Sequence, residues 1–147
     1  MAVIIRLAAI ADLPAVLELY RQPNLDSGEA LTPDTAEQIF ARMQQYPDYR
    51  LCVAERAGEI VGTFTLLIMD NLIHRGTPSA VIEAVAVSPQ HQGQGIGRQM
   101  ITWAIAQCRQ AQCYKVSLSA NLKRDRAHRF YESLGLTKHG YSFLVEI

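Results

Sequence analysis

Residues 87–100, VSPQHQGQGIGRQM, join the end of an apolar run to three alternate glycines and the start of a helix-like segment. The first N–H groups of a helix lack intrahelical acceptors and carry a partial positive charge, so they attract anions. Glycines in front of the helix leave the main chain open to a phosphate. The stretch therefore predicts a strand, an anion-binding turn and a helix. Arg98 is either a further charged contact or an ordinary exposed helix arginine.

The spacing of the three glycines excludes two common phosphate motifs. The dinucleotide fingerprint G-x-G-x-x-G would need a glycine at Arg98 or at Met100. The ribose-binding acid expected about twenty residues later is also missing, since residues 84–124 contain no Asp or Glu. A Walker loop needs Gly-Lys-Ser/Thr, and no glycine here precedes a lysine. The pattern that fits is Q/R-x-x-G-x-G/A, beginning at Gln92.

Hydrophobic periodicity predicts the remaining elements. Strands are predicted at residues 3–8, 51–56, 59–70, 81–87, 113–119 and 141–147. Helices are predicted to begin after Asp12, at Thr32-Pro33-Asp34, near Gly95 and at Asp125, with loops at 22–30 and 71–80. Along the third helix, apolar residues recur one turn apart at Ile96, Met100, Ala104 and Cys108. This order predicts a mixed α+β fold, one sheet covered by helices, and 147 residues fit a single domain over 1–147.

Composition narrows the function classes. The formal net charge is zero, which disfavours nucleic-acid binding. No apolar run reaches the roughly 18 residues of a membrane span. The N-terminus lacks the pattern of a signal peptide, so we expect a cytoplasmic protein. The cysteines and histidines lack metal-ligand or disulfide-framework spacing, so we expect no metal.

Charge is nevertheless uneven along the chain. Residues 1–80 hold 6 basic and 10 acidic side chains, whereas residues 81–147 hold 8 basic and 4 acidic ones. Either this is chance variation, or the C-terminal half meets an anion and the N-terminal half meets something cationic or neutral.

Two blocks and the glycine turn together resemble the GNAT superfamily of N-acetyltransferases. The first block is AVAVSPQHQGQGIGRQMI at 84–101, and the second is AHRFYESLGL at 127–136. The order of elements from residue 3 onward also agrees, so the likeness covers nearly the whole chain and is strongest over 81–136. The resemblance implies the GNAT acyl-CoA N-acyltransferase fold, with a mostly antiparallel central sheet flanked by helices, and acetyl-CoA as co-substrate.

The resemblance also assigns a binding site for acetyl-CoA. Backbone groups of Val85 and Val87 would pair with the acetyl carbonyl and the pantetheine arm. The other residues of this predicted site are Gln92, Gly93, Gln94, Gly95, Ile96, Gly97, Arg98, Arg124 and His128. Many family members carry Asn, which bonds the pantetheine arm, where this chain has Arg124. Arg124 and the nearby Lys123, Arg126 and Arg129 either meet the 3′-phosphate of CoA or form a solvated basic face.

Acetyl transfer to an amine needs a base, because an amine of pKa ~10.4 is neutral in only about one molecule in 10³ near pH 7. Glu83 is the predicted base, as the only acid in strand 81–87 and at a position where the family often places a glutamate. The alternative is a strand glutamate that faces solvent. Tyr131 matches the family's general-acid tyrosine, which protonates the departing thiolate, and its alternative is a packed aromatic.

The acceptor site is expected in the 20–30 and 71–79 loops, with Tyr20, Asp26, His74 and Arg75 as candidate contacts. Residues 113–135 bear some likeness to the glucosamine-6-phosphate acetyltransferase branch of the family. The predicted reaction is direct transfer from acetyl-CoA to a primary amine of a small molecule, such as an amino sugar or amino acid, in a ternary complex. The alternatives are a protein lysine or N-terminal acetyltransferase and a non-catalytic acyl-CoA-binding sensor. Dimers are frequent in the family, so a homodimer is also expected.

Overall fold

Five strands and four α-helices make up the fold in a computed structural model that describes residues 2–23, 25 and 31–147. The strands are β1 Val3–Leu7, β2 Tyr49–Arg56, β3 Glu59–Met69, β4 Ser79–Val87 and β5 Lys115–Leu118. The helices are α1 Leu13–Tyr20, α2 Pro33–Met43, α3 Ile96–Gln110 and α4 Asp125–Ser133. Most of the predicted 22–30 loop lies outside the described residues.

The chain divides into two compact units, Met1–Ser117 and Leu118–Ile147. The expectation of a single domain over 1–147 stays a prediction. No helix in the described ranges has the length and apolar character needed to cross a membrane.

The strands form one sheet in the order β1-β2-β3-β4-β5. The pairs β1–β2, β2–β3 and β3–β4 are antiparallel. The strands predicted at 51–56 and 59–70 form an antiparallel hairpin that turns at Ala57-Gly58, where both residues have positive φ. The mixed α+β class predicted from the sequence is also confirmed.

Alternate side chains of β3 serve the two faces of the sheet. Phe64 meets Trp103 of α3 edge-on, with ring centroids 6.1 Å apart. On the same face, a Cβ at Gly62 would lie 2.7 Å from Sδ of Met100, so glycine is what allows α3 to approach this closely. Thr65 points to the opposite face, which α1 and α2 cover. The predicted apolar stripe of α3 is confirmed, since Ile96, Met100, Ala104 and Cys108 are all buried.

Helix α1 is anchored at its start by an ion pair rather than by a side-chain cap. Asp12 precedes the helix as predicted, but its carboxylate makes no cap hydrogen bond to α1. It instead accepts from Nη1 and Nη2 of Arg6 at 2.7 and 3.0 Å and from the amide of Ala9 at 2.7 Å. The Arg6 guanidinium lowers the pKa of the Asp12 carboxyl. The Asp12 side chain therefore does not cap α1, because β1 offers the carboxylate a stronger, charged donor.

The second unit contains α4 and the chain end. Helix α4 ends as predicted at Gly135, whose φ of +91° lets the amide of Leu136 donate to the carbonyl of Tyr131 at 3.2 Å. The predicted strand at 141–147 is wrong, since these described residues form no strand and are exposed. Their period-2 pattern indicates a strand preference, but a strand also needs a neighbour for its backbone hydrogen bonds.

Candidate active site

A β-bulge in β4 changes the direction of the neighbouring side chains in the first unit. The pairing of β3 with β4 shifts between Thr63 and Thr65, and Ala84 has a φ of +52°. The hydroxyl of Thr65 donates to the carbonyl of Glu83 at 3.1 Å and holds the strand on one side of this irregularity. Positive φ costs an alanine about 1–2 kcal/mol, and bulges often occur beside active sites. Sequence reasoning missed the bulge, because no glycine marks it.

The bulge faces a cavity of about 350 Å³ between α1, α2 and the sheet. Most of the lining is hydrocarbon, from Leu, Val, Ile, Ala and Met side chains together with the ring of Phe40. The polar lining side chains are Tyr20, Tyr49, Thr65 and Glu83. The strand predicted at 81–87 is present within β4, but Glu83 is exposed in the cavity wall while its neighbours Ile82 and Ala86 are buried. The bulge explains this, because it exposes Glu83 and Ala84 in succession.

The four predicted acceptor contacts lie in different places. Tyr20 lines the cavity, and burial raises the pKa of its phenol. Asp26 lies outside the described residues. His74 stacks on Tyr114, with ring centroids 4.1 Å apart, and Arg75 is exposed in a short 3₁₀ turn at His74–Gly76. Neither His74 nor Arg75 is among the described residues that line the cavity, and their role in binding the acceptor stays a prediction.

The glycine turn offers free main-chain donors at the start of α3. Gly93 and Gly95 have φ of +77° and +84°, and nothing lies within 4 Å of a Cβ added at either position. The first intrahelical bond runs from the amide of Gln99 to the carbonyl of Gly95, at 3.1 Å. Helix geometry therefore leaves the amides of Ile96, Gly97 and Arg98 without intrahelical acceptors. Open glycines and free amides at a helix N-terminus fit a pyrophosphate.

Two glutamine side chains meet at the end of β4. Nε2 of Gln22 donates to the carbonyl of Val87 at 2.9 Å and to that of Leu19 at 3.0 Å. Nε2 of Gln92 donates to the same Val87 carbonyl at 3.2 Å and to Oε1 of Gln22 at 3.3 Å. Val87 was predicted to pair with pantetheine through its backbone, and Gln22 was missed because no local signal links residues 65 positions apart. Gln22 thus joins the end of α1 to the end of β4.

The remaining cofactor candidates in the first unit differ in exposure. The carboxamide oxygen of Gln94 accepts from Nη1 of Arg56, which ties the turn to β2. Arg98 is exposed in the first turn of α3. Val85 follows the bulge and is half-buried.

The second unit carries the other predicted site residues. Tyr131 is partly buried and packs on Phe130, with centroids 5.3 Å apart. Burial raises the pKa of Tyr131, although the nearby charge of Arg124 acts in the opposite direction. Nε2 of His128 lies 2.7 Å from the carbonyl of Asn121, and Arg124 is exposed immediately before α4. Catalytic and cofactor-binding roles for these residues stay predictions.

The family assignment follows from comparison with known proteins. The model of the Acetyltransferase (GNAT) family matches residues 13–136, and this chain belongs to that family of enzymes. The resemblance identified from the sequence and the fold predicted from it are both confirmed.

Relatives and solved structures agree with this assignment. The chain is 36% identical to aminoalkylphosphonate N-acetyltransferase of Salmonella typhimurium over 71% of its own length and 67% of the relative's. It is 32% identical to a probable glucosamine 6-phosphate N-acetyltransferase of Drosophila melanogaster, over 65% of this chain and 43% of that one. A putative acetyltransferase structure from Agrobacterium tumefaciens str. C58 has a TM-score of 0.92 and 37% identity, covering 97% and 99% of the two chains.

Proposed function

We propose that this chain transfers the acetyl group of acetyl-CoA to the primary amine of a small molecule by direct attack in a ternary complex. The observation that carries the proposal is the position of Glu83 in the wall of the cavity. The same strand that presents this carboxylate leads into the glycine turn at Gly93 and Gly95. A base and an anion-binding turn at successive points of the chain suit a reaction between a bound amine and a pyrophosphate-linked thioester.

The turn and strand β4 would hold acetyl-CoA. Main-chain amides of Ile96, Gly97 and Arg98 would bind the pyrophosphate, with Gln92 and Gln94 supporting the turn. Backbone groups of Val85 and Val87 would align the pantetheine arm, as the family resemblance implies, and Arg124 and His128 are further proposed contacts of the cofactor. Acetyl-CoA supplies a thioester, whose carbonyl carbon accepts a nucleophile.

Glu83 would make the amine nucleophilic. Its carboxylate takes the proton of the bound ammonium, directly or through one water, and the nitrogen lone pair then attacks the carbonyl carbon. A C–N bond forms, the nitrogen gives its second proton to water, and the C–S bond breaks with its electron pair leaving on the CoA sulfur. The cavity volume of about 350 Å³ supports a small-molecule acceptor, since small-ligand sites run from about 300 to 1,000 Å³.

Tyr131 would protonate the departing thiolate of CoA. Because burial raises the pKa of this phenol, the hydroxyl keeps its proton through the neutral range until it is needed.

Buried thiols argue against an acetyl-cysteine intermediate. Burial raises the pKa of Cys52 to about 12 and that of Cys108 to about 11, so neither forms a nucleophilic thiolate at neutral pH. Direct transfer is therefore favoured over a two-step route through either thiol.

The test is release of CoA thiol from acetyl-CoA across a panel of small amines and peptides, beside calorimetry with acetyl-CoA alone. We expect binding of acetyl-CoA and thiol release only when a small amine is present. Binding without release under any amine would indicate a sensor, and release with peptides alone would indicate a protein acetyltransferase. The cytoplasmic location and the homodimer stay predictions from sequence.

A further inference from the structure

We infer that the acceptor is a primary amine with an apolar body, of the arylalkyl or branched alkyl class, rather than an amine that carries a phosphate or phosphonate. This inference rests on the proposed function and names the substrate class of the same site. It comes from the contrast between the carboxylate of Glu83 and a lining that, among the described residues, is mostly apolar and contains no cation.

Both helices that cover the cavity present hydrocarbon to it. Leu17 of α1 lies opposite Ile39 and Met43 of α2, and Leu51 of β2 lies on the sheet side. Removing an apolar ligand surface from water into such a lining contributes roughly 25 cal/mol per Å². The cavity therefore favours ligands with an apolar surface and offers few hydrogen-bond partners to sugar hydroxyls.

Among the described residues that line the cavity, none is Lys, Arg or His, and the one carboxylic acid is Glu83, so an anionic substituent would find no counter-charge there. Two basic side chains on the adjoining strands are already paired with acids. Arg6 of β1 pairs with Asp12 and Glu55, and Arg50 of β2 pairs with Asp48 at 2.7 Å. A phosphonate here would lose hydration and meet a like charge, which costs several kcal/mol unless a cation compensates it.

The polar groups are arranged for one ammonium and one ring. Glu83 is the one carboxylate among the described lining residues, while Tyr20 and Tyr49 add aromatic surface to the same cavity. Aromatic faces attract both a cation and a second ring. A volume of about 350 Å³ holds about a dozen heavy atoms at the density of a liquid, which suits a ring on a short amine chain.

The decisive experiment compares two amines that share an aminoethyl chain, 2-phenylethylamine and 2-aminoethylphosphonate. Thiol release is measured for each, kcat/KM is expressed per unprotonated amine, and acetyl-CoA binding is followed separately by calorimetry. We expect kcat/KM for 2-phenylethylamine to exceed that for 2-aminoethylphosphonate by about 100-fold or more. Each tenfold difference in kcat/KM corresponds to about 1.4 kcal/mol of activation free energy.

The possible failures are distinguishable. A preference for 2-aminoethylphosphonate, or for glucosamine 6-phosphate, would overturn the apolar-amine inference and leave the proposed acetyltransferase reaction standing. Acetyl-CoA binding without transfer to any amine would overturn the proposed function and the inference together.

A matched pair of variants of α2 tests whether this cavity is the selective element. Met43 lines the cavity in the last turn of the helix, where a cation is favourable, and Gln38 is exposed outside the lining. We expect Met43→Arg to lower kcat/KM for 2-phenylethylamine at least about tenfold and to raise that for 2-aminoethylphosphonate, since a cation in the cavity lining now compensates the anion. Gln38→Arg adds the same charge and should change neither value by more than about twofold.

Equal losses for both amines in Met43→Arg would contradict the inference. Acetyl-CoA affinity and thermal unfolding of both variants show whether the fold is intact. If Met43→Arg does not fold, Met43→Gln replaces it, with the same expected direction for 2-phenylethylamine and unchanged acetyl-CoA binding. Unchanged selectivity in a folded Met43→Gln variant would also overturn the inference.

Discussion

The glycine turn and the cavity would recognise their proposed ligands by opposite means. The turn is exposed and offers main-chain amides at the start of α3, where Gly95 adopts a positive φ that favours glycine. The cavity lies between α1, α2 and the sheet and offers side chains from separate parts of the chain, among them the carboxylate of Glu83. Main-chain recognition suits a ligand that stays the same, whereas a side-chain lining can change with the acceptor. Variants that affect one region without the other test this division.

The largest effect is expected for Glu83→Gln, which removes the proposed base from the cavity. A general base contributes about 10²–10⁴-fold, so kcat/KM for the amine should fall by that range near pH 7 while acetyl-CoA affinity stays unchanged. The residual rate should rise about tenfold per pH unit, because only the neutral amine then reacts. Glu59→Gln, at an exposed residue of β3, is the control and should match the wild type. A full rate for Glu83→Gln would remove Glu83 from the mechanism.

Tyr131→Phe tests the step that follows attack, which depends on neither binding region. We expect turnover to fall by about 10²-fold, with little change in the acceptor KM or in acetyl-CoA affinity. Because burial raises the pKa of Tyr131, the wild-type rate should not fall from loss of this proton until the pH passes the ordinary phenol value of about 10. A pH–rate profile of both proteins checks this, and equal turnover would exclude the acid role.

Gly95→Ala should weaken acetyl-CoA binding at the glycine turn and leave the cavity unaffected. An added Cβ meets open space in the free protein, so its cost arises where the phosphate must approach and from the positive φ. Calorimetry should show acetyl-CoA affinity reduced about 10- to 100-fold, with acceptor KM nearly unchanged. Gly58→Ala is a matched control, since Gly58 also has open space and a φ of +81° but lies in the β2–β3 hairpin. Equal affinity losses in both variants would indicate a general loss of stability.

Asp12→Asn should loosen α1 and therefore affect the cavity side. The side chains of Arg6 and Asp12 are 34% and 11% exposed, so losing this pair should cost about 1–2 kcal/mol of unfolding free energy at pH 7. Because folding lowers the pKa of Asp12, the wild-type advantage is complete above about pH 4 and is lost as the pH falls through the lowered value. Denaturant titrations at several pH values measure this difference in unfolding free energy. Glu18→Gln, in an exposed pair with Arg21, should change nothing measurable.

Gln22→Ala should have the smallest effect of these variants, and we expect that effect on acetyl-CoA binding near the glycine turn. The Val87 carbonyl already accepts from Gln22 and Gln92, so a pantetheine N–H must displace one of them. Removing the Gln22 amide should tighten acetyl-CoA binding about two- to fivefold, which is within the range of one net hydrogen bond. Calorimetry measures the change. Weaker binding would instead mean that Gln22 stabilises the bound form.

The two regions differ in how well the sequence predicts them, because the residues that form the turn are close together in sequence and those that form the cavity are not. The turn was predictable because glycines, a preceding strand and a helix start lie within one stretch of fourteen residues, 87–100. Helix α3 and the β2–β3 hairpin were predictable for the same reason, since periodicity and the Ala57-Gly58 turn act over a few residues. An anion-binding site formed by the main chain at a helix N-terminus can thus be predicted from a short segment of sequence.

The cavity was only partly predictable, because its geometry depends on contacts far apart in sequence. The bulge at Ala84 puts an alanine at positive φ, and only tertiary contacts can hold it there. His74 lies in the expected loop but stacks on Tyr114, which no spacing rule foresees. The 141–147 segment has the alternation of a strand without a pairing partner in the described ranges. In each case the presence or absence of a long-range contact decided what local preference left open.

The proposed direct transfer requires that both substrates are bound when the acetyl group moves. Initial rates of thiol release, measured with acetyl-CoA and 2-phenylethylamine varied independently, test this most directly. Intersecting double-reciprocal lines are expected, because the amine attacks within the ternary complex. Parallel lines would reveal an acetylated enzyme intermediate and would contradict direct transfer between the turn and the cavity.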